Sequence, residues 1–194
     1  MNALQSVDNK INSTTEKSDQ ELVFMAQRSP QEFKFLYERY YKRIFLFVHR
    51  RINEKQITAD ITSQVFLKAL INIASYKHLG LPFSAWLYRI ALNECNEFFR
   101  KNSRHRFVSI EDNTIHDLHH ELTSDTAVED LHERLPSILE KLAEDELHLL
   151  ELRYFEQRPF REVAQILGIS EVYAKTKVYR LLEKMKSLFM QNKS

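Results

Sequence analysis

The side chains best suited to chemistry in this chain are cations and hydroxyls. The stretch SEVYAKTKVYR, residues 170–180, carries Lys175, Lys177 and Arg180 together with Thr176 and Tyr179. Lys and Arg pair with phosphate or guanine, and Thr and Tyr hydrogen-bond to either, so the set suits nucleic acid. Other chemistries have weaker carriers. Cys95 is the only cysteine, which rules out an intrachain disulfide and fits a reducing cytoplasm. His116 and His120 lie one helical turn apart, the spacing of two metal ligands, with His119 beside them. HExxH is absent, so scattered linker histidines are the simpler account. No Gly-rich loop is present to cradle a phosphate. The chain is therefore expected to do no covalent chemistry, to be no enzyme, and to need no cofactor or metal.

What must position the cations is a pair of helices. The chain has only two glycines, Gly80 and Gly168. Residues 159–167 read as a short helix with Phe160, Val163, Ala164 and Leu167 inward. Gly168 would end it, because glycine takes the left-handed conformation at little cost. Ile169 plugs the corner, Ser170 is a good N-cap, and Glu171 suits the positive helix end. Ala174, Val178, Leu181, Leu182 and Met185 then share a core face. Helix, glycine turn, helix is a helix-turn-helix, whose second helix enters the major groove. Ser170 at the helix start and the outward Val172, Tyr173, Lys175, Thr176, Lys177, Tyr179 and Arg180 are the candidate readers.

The rest of the chain also reads as helix, giving an all-α protein. Ser18 with Glu21, and Ser29 with Glu32, have capping-box spacing. Phe33, Leu36, Tyr37, Tyr40, Ile44, Phe47 and Val48 form one apolar face of a long helix. Arg39, Lys42, Arg43, Arg50 and Arg51 mark its wet side and its end. A third helix starts near Thr58, with Ile61, Val65, Phe66, Ala69, Leu70 and Ile73 buried. Leu67 and Ile71 fall off that stripe, beside Asp60, Gln64 and Lys68, as on a helix that docks a partner. A loop at residues 77–82 precedes a fourth helix over 83–101, in which Trp86, Ile90 and Phe98 can face inward. Asn93, Asn96 and Arg100 share a polar face. Leu135, Ile138, Leu139 and Leu142 open a second helical domain, followed by Leu147, Leu149, Leu150, Leu152 and Tyr154.

Charge is segregated. Residues 1–107 carry 17 basic against 10 acidic side chains, residues 108–150 carry 2 against 12, and residues 151–194 carry 9 against 5. Two basic lobes around an acidic linker suit two contacts with one polyanion. The expected organisation is a disordered arm at 1–17, a domain at 18–106, a linker at 107–130 and a domain at 131–194. No apolar run approaches the ~18 residues of a membrane span, so no membrane insertion is expected.

With these elements in place the chain resembles bacterial sigma factors. LELRYFEQRPFREVAQILGIS with Lys175 and Arg180 is similar to region 4. FKFLYERYYKRIFLFV, TADITSQVFLKAL and FSAWLYRIALNECNEFFRK are similar, in order, to region 2. With only these two domains the chain looks like the extracytoplasmic-function (ECF) class of the sigma-70 family. The resemblance implies a cytoplasmic protein that binds core RNA polymerase at the β′ clamp helices and the β flap. It also implies promoter DNA as a partner and an anti-sigma factor that restrains it. By resemblance, Asp60, Ser63, Gln64, Leu67 and Ile71 dock on polymerase. Lys77, His78, Leu79, Tyr88, Arg89, Asn93, Asn96 and Arg100 would serve the minus-ten element, where relatives hold an unstacked base against the loop. The helix from Ser170 would read the minus-thirty-five element. The sequence departs from the family pattern at Ala59, Gln64, Gln157, Val172, Tyr173 and Leu181. A plain DNA-binding regulator that ignores polymerase would explain the helix-turn-helix but leave the region 2 blocks without purpose. A metalloenzyme built on the linker histidines is the more distant alternative.

Overall fold

The computed structural model describes residues 17–78, 80–102, 118, 121–122 and 128–191. Among them are helices α1 (Asp19–Arg28), α2 (Phe33–Ile52), α3 (Lys55–Asn72) and α4 (Phe83–Asn102). These are followed by α5 (Val128–Leu139), α6 (Glu144–Leu150), α7 (Phe160–Leu167) and α8 (Glu171–Gln191). No strand occurs among the described residues. One compact unit holds α1, α2 as far as His49, α3 and α4; the other holds α5 to α8. The arm at 1–16, His116, His119, His120 and most of the acidic linker lie outside the described residues.

In the first unit the Ser18 box forms as expected. Ser18 Oγ accepts from Glu21 N at 3.3 Å and Ser18 N donates to Glu21 Oε2 at 2.8 Å. The Ser18 hydroxyl also donates to Glu21 Oε2 at 2.7 Å, and that bond, with Ser18 N second, holds the Glu21 carboxyl below its usual range. The Ser29 box does not form. A 3-10 turn at Pro30–Glu32 precedes α2, and the Ser29 hydroxyl donates to Gln31 Oε1 at 2.8 Å instead. Leu36, Ile44, Phe47 and Val48 are buried on α2 as the spacing required. Tyr37 is a correction: it is 40% exposed, its ring edge-on to Phe66. Arg39 departs from a free wet face, since it pairs with Asp19 at 2.8 Å. Arg51, at the end of α2 that belongs to the second unit, is buried. Helix α3 begins at Lys55, three residues before the expected start, and buries Ile61, Val65, Phe66 and Ala69; Ile73 is buried in the 3-10 turn just after it, and Leu70, expected in the stripe, is only half-buried. On α4 the inward face is Phe83, Leu87, Tyr88, Ala91, Leu92 and Cys95. Trp86, Ile90 and Phe98, expected inward, are only half-buried.

The second unit is built on the leucines of the reading above. Leu135, Ile138, Leu139, Leu142, Leu147, Leu149, Leu150 and Leu152 are all buried. Burial chiefly, with Glu121 nearby, pushes the Tyr154 phenol up to about 12. Ala143 cannot supply a side-chain cap, so α6 keeps only the returning half of a box, Ala143 N to Glu146 Oε2 at 2.8 Å. Gln157 adopts φ 51°, the left-handed region that glycine favours.

Candidate nucleic-acid interface and docking helix

The helix-turn-helix is built at Gly168. Its φ of 70° and ψ of 32° turn the chain out of α7, and Ile169 N donates back to Ala164 O at 2.9 Å. Ser170 Oγ accepts from Tyr173 N at 3.2 Å and caps α8. Val163, Ala164 and Ile166 bury on α7, while Phe160 and Leu167 are half-buried; the inward face is rotated by one residue near the turn. On α8, Ala174, Val178, Leu181, Leu182 and Met185 are buried.

The outward face of α8 carries the expected set with one change of status. Val172, Tyr173 and Tyr179 are 75%, 50% and 65% exposed, a large uncovered apolar and aromatic area. Thr176 Oγ1 donates to Val172 O at 3.0 Å. Lys175 is exposed, paired along its own helix to Glu171 at 2.8 Å, with its ammonium 5.9 Å from the Phe160 ring centroid. Arg180 is exposed and forms no ion pair among the described residues. Lys177 differs: its ammonium is held by Asp145 at the start of α6. Lys184 is held by the neighbouring Glu146 at 2.6 Å. Against the desolvation that pushes it up, the Lys184 and Ala143 bonds keep the Glu146 carboxyl below its usual range. The acids at 145 and 146 were not singled out in the sequence, because nothing local shows that α6 lies against α8.

In the first unit, the face of α4 that carries Arg89, Asn93, Asn96 and Arg100 is intact. Arg89, Asn93 and Arg100 are exposed, and Asn96 is half-buried. Arg100 is bonded to Glu97 at 2.7 to 3.0 Å, and that bond, with Lys101 second, lowers the Glu97 pKa. Tyr88 is a correction. It is wholly buried, edge-on to Phe47 at 4.8 Å, because it shares the i, i+3, i+4, i+7 face of Ala91, Leu92 and Cys95. Lys77 and His78 are exposed beside α4; Leu79 lies outside the described residues.

Next to His78 is a cavity of about 290 Å³ lined by Asp19, Gln20, Val23, Phe24, Gln27, Tyr76, His78 and Phe83. Phe24 is 57% exposed at its edge, with the Arg28 guanidinium 5.5 Å from the ring centroid. Asp19 is fixed by Arg39 and by the Tyr40 hydroxyl. Tyr76 packs edge-on to Phe83 at 5.3 Å, and Trp86 lies against both rings. Of these residues only His78 was foreseen. Phe24 left a faint signal, as an aromatic residue off the Leu22, Val23, Ala26 stripe of α1.

On α3 the five candidate docking residues stand together in solvent. Asp60, Ser63, Gln64, Leu67 and Ile71 are all exposed, Leu67 by 49% and Ile71 by 68%. Lys68, beside them, reaches across to Glu94 at 2.5 Å.

A family model described as sigma-70 region 2 matches residues 36–105, and one described as sigma-70 region 4 matches residues 132–185. The RNA polymerase sigma factor YlaC of Bacillus subtilis (strain 168) is 30% identical over 151 residues, 75% of this chain and 84% of that protein. The chain belongs to the sigma-70 family. Its similarity extends to the ECF members of that family. The ECF RNA polymerase sigma factor SigM of Bacillus subtilis (strain 168) is 25% identical over 155 residues, 79% of this chain and 93% of that protein. In fold, this sigma factor matches CnrH, solved in complex with the cytosolic domain of CnrY, with a TM-score of 0.62 at 19% identity. The match covers 92% of this chain and all of that one. Region 2 of this sigma factor thus contains α3 and α4, and region 4 contains the helix-turn-helix. Helix α1, which supplies five of the eight cavity residues, precedes the region 2 match.

Proposed function

We propose that this sigma factor binds core RNA polymerase, directs it to a two-part promoter and helps open the start region, itself catalysing no covalent step. The observation that carries the reading is the order of the two regions in one chain: region 2 at residues 36–105, then region 4 at 132–185. Asp60, Ser63, Gln64, Leu67 and Ile71 on α3 form the polymerase contact. A half-exposed Leu and Ile ringed by polar side chains suit a buried interface centre with a wet rim. The β flap takes region 4. Region 4 reads the minus-thirty-five element as duplex, with Arg180 and the exposed Lys175 as its cations and Val172, Tyr173, Thr176 and Tyr179 against base edges. Arg89, Asn93, Asn96 and Arg100 track the minus-ten strand, and the cavity beside His78 seats an unstacked base against Phe24.

No described helix is long and apolar enough to cross a membrane. A partner of core RNA polymerase works in the cytoplasm. An anti-sigma factor restrains it, as the anti-sigma factor NepR is bound to the sigma factor RpoE of Bartonella quintana. The test is transcription. The purified chain is added to core RNA polymerase and genomic fragments, and run-off transcripts are sequenced. Discrete starts that share two spaced upstream elements are expected. No initiation, with a control sigma factor active on the same core, would overturn the reading.

A further inference from the structure

The cavity of the first unit has a polar side as well as an aromatic one. Gln27 Nε2 donates to Ile73 O at 3.1 Å and to Tyr76 O at 2.9 Å. A primary amide has two N–H donors and one carbonyl acceptor, and here both hydrogens are used on backbone carbonyls. Flipping the amide would set oxygen against oxygen, so Gln27 Oε1 is fixed as an acceptor, and no described residue donates to it. Asp19 lines the same cavity. Its carboxylate accepts from Arg39 and Tyr40, yet two carboxylate oxygens offer about four lone-pair sites, so accepting capacity remains. Burial chiefly, and Asp19 second, push the Tyr76 phenol up, so that this wall stays neutral at physiological pH. Because Arg39 and Tyr40 tie the start of α1 to α2, the acceptor side is held in place before any ligand arrives.

We propose that Gln27 makes this cavity selective for a base that presents an exocyclic amine, adenine or cytosine in preference to thymine, an inference that rests on reading the cavity as the seat of an unstacked base. At about 290 Å³ the space has room for one base and not for a pair. Phe24, Tyr76 and Phe83 supply stacking and edge contacts that every base can use, so they cannot choose among bases. The choice falls to the acceptors. An amine offers two hydrogens to an acceptor-rich wall. Thymine places carbonyl oxygens on both sides of its single N–H; one of them can meet a donor such as the Tyr76 hydroxyl, but the other then sets lone pairs against the acceptors Gln27 and Asp19. A buried polar group left without its partner costs more than a made bond returns, so the discrimination is about tenfold. Gln27 lies on α1, outside the region 2 match.

The test uses the full chain at low salt and short single-stranded oligodeoxynucleotides of adenine, cytosine, thymine, or nebularine, the purine that lacks the amine. Anisotropy of the labelled strand gives affinity. Trp86, the chain's single tryptophan, lies 4.9 Å from Tyr76 and 5.4 Å from Phe83, so its emission reports whether the cavity fills. Adenine and cytosine strands are expected to change Trp86 emission and to bind about tenfold more tightly than thymine and nebularine. Gln27→Leu should bring adenine down to the nebularine level. That variant also loses two bonds to the loop, and the adenine and nebularine comparison on the unaltered chain keeps the test independent of its folding. Equal affinities for all four strands, with Trp86 responding, would overturn selection by Gln27 and leave the base-binding cavity standing. No response of Trp86 to any strand would overturn both.

Discussion

Replacing Asp145 with Asn should strengthen the hold of region 4 on promoter DNA and steepen its dependence on salt. In the native chain Lys177 is only 24% exposed and its ammonium is held by the Asp145 carboxylate, itself 61% exposed. A pair this open to water contributes roughly 0–1 kcal/mol to stability, so breaking it should leave region 4 folded. What changes is the cation. Freed from Asp145, Lys177 becomes one more charge available to phosphate on the α8 face. Each phosphate contact adds about 0.9 to the slope of log affinity against log salt, so a fourfold rise in salt should cost Asp145→Asn about 3.5-fold more affinity than it costs the native chain. The assay is holoenzyme binding to the promoter found by run-off sequencing, measured between low and moderate salt. In the native background, Lys177→Ala should leave the slope unchanged, while Arg180→Ala should lower it by about 0.9. A native Lys177→Ala that lowers the slope as much as Arg180→Ala would refute the reasoning, since Lys177 would then leave Asp145 for phosphate unaided.

Three further outcomes follow from the geometry. Leu67→Asp with Ile71→Asp should abolish co-purification with core polymerase while circular dichroism and melting stay native, because both side chains are already half or more exposed; loss of helical signal would make them core instead. Gly168→Ala should destabilise region 4 by about 1–2 kcal/mol in a denaturant titration, since φ 70° is costly with a Cβ; an unchanged midpoint would remove the glycine turn from the account. Tyr40 is held neutral by burial first and by its bond to Asp19 second, with a folded pKa raised above the ordinary 10. Its contribution is therefore full below pH ~10 and is lost as pH rises towards the raised value, so the first unit should lose stability in that alkaline window, and Tyr40→Phe should flatten the loss.

The parts of this architecture that local chemistry dictates were legible in the sequence. Gly168, Ser170 and the spacing of Ala174, Val178, Leu181 and Leu182 suffice for the second half of the helix-turn-helix, because glycine and a capping hydroxyl each answer a backbone demand. Leu67 and Ile71 were legible because two apolar residues off a buried stripe call for a partner. Tyr88 was misplaced because, five residues past the start of α4, it was read with the loop beside it, whereas its spacing to Ala91, Leu92 and Cys95 puts it on the face that meets Phe47. The Ser29 box failed because a 3-10 first turn moves the N–H that its hydroxyl would have met. The cavity was out of reach for a similar reason. Its walls come from α1, the stretch after α3 and the start of α4, and the acceptor role of Gln27 depends on carbonyls 46 and 49 residues away.

Helix α8 can also be viewed as a lever. It runs 21 residues, about 31 Å at 1.5 Å per residue, and only its first half faces outward with readers. The far end is bolted down: Arg134 of α5 lies over the Phe189 ring at 4.2 Å and donates to Phe189 O, and Lys184 is tied to Glu146. On a rod of that length a tilt of about 5° at the bolted end swings the tip by roughly 2.5 Å, most of a hydrogen bond's length. Substitutions at Arg134 or Glu146, which touch no DNA in the proposed reading, would then act as tuning screws for promoter choice, and region 4 could drift to a new promoter without altering any residue that meets a base.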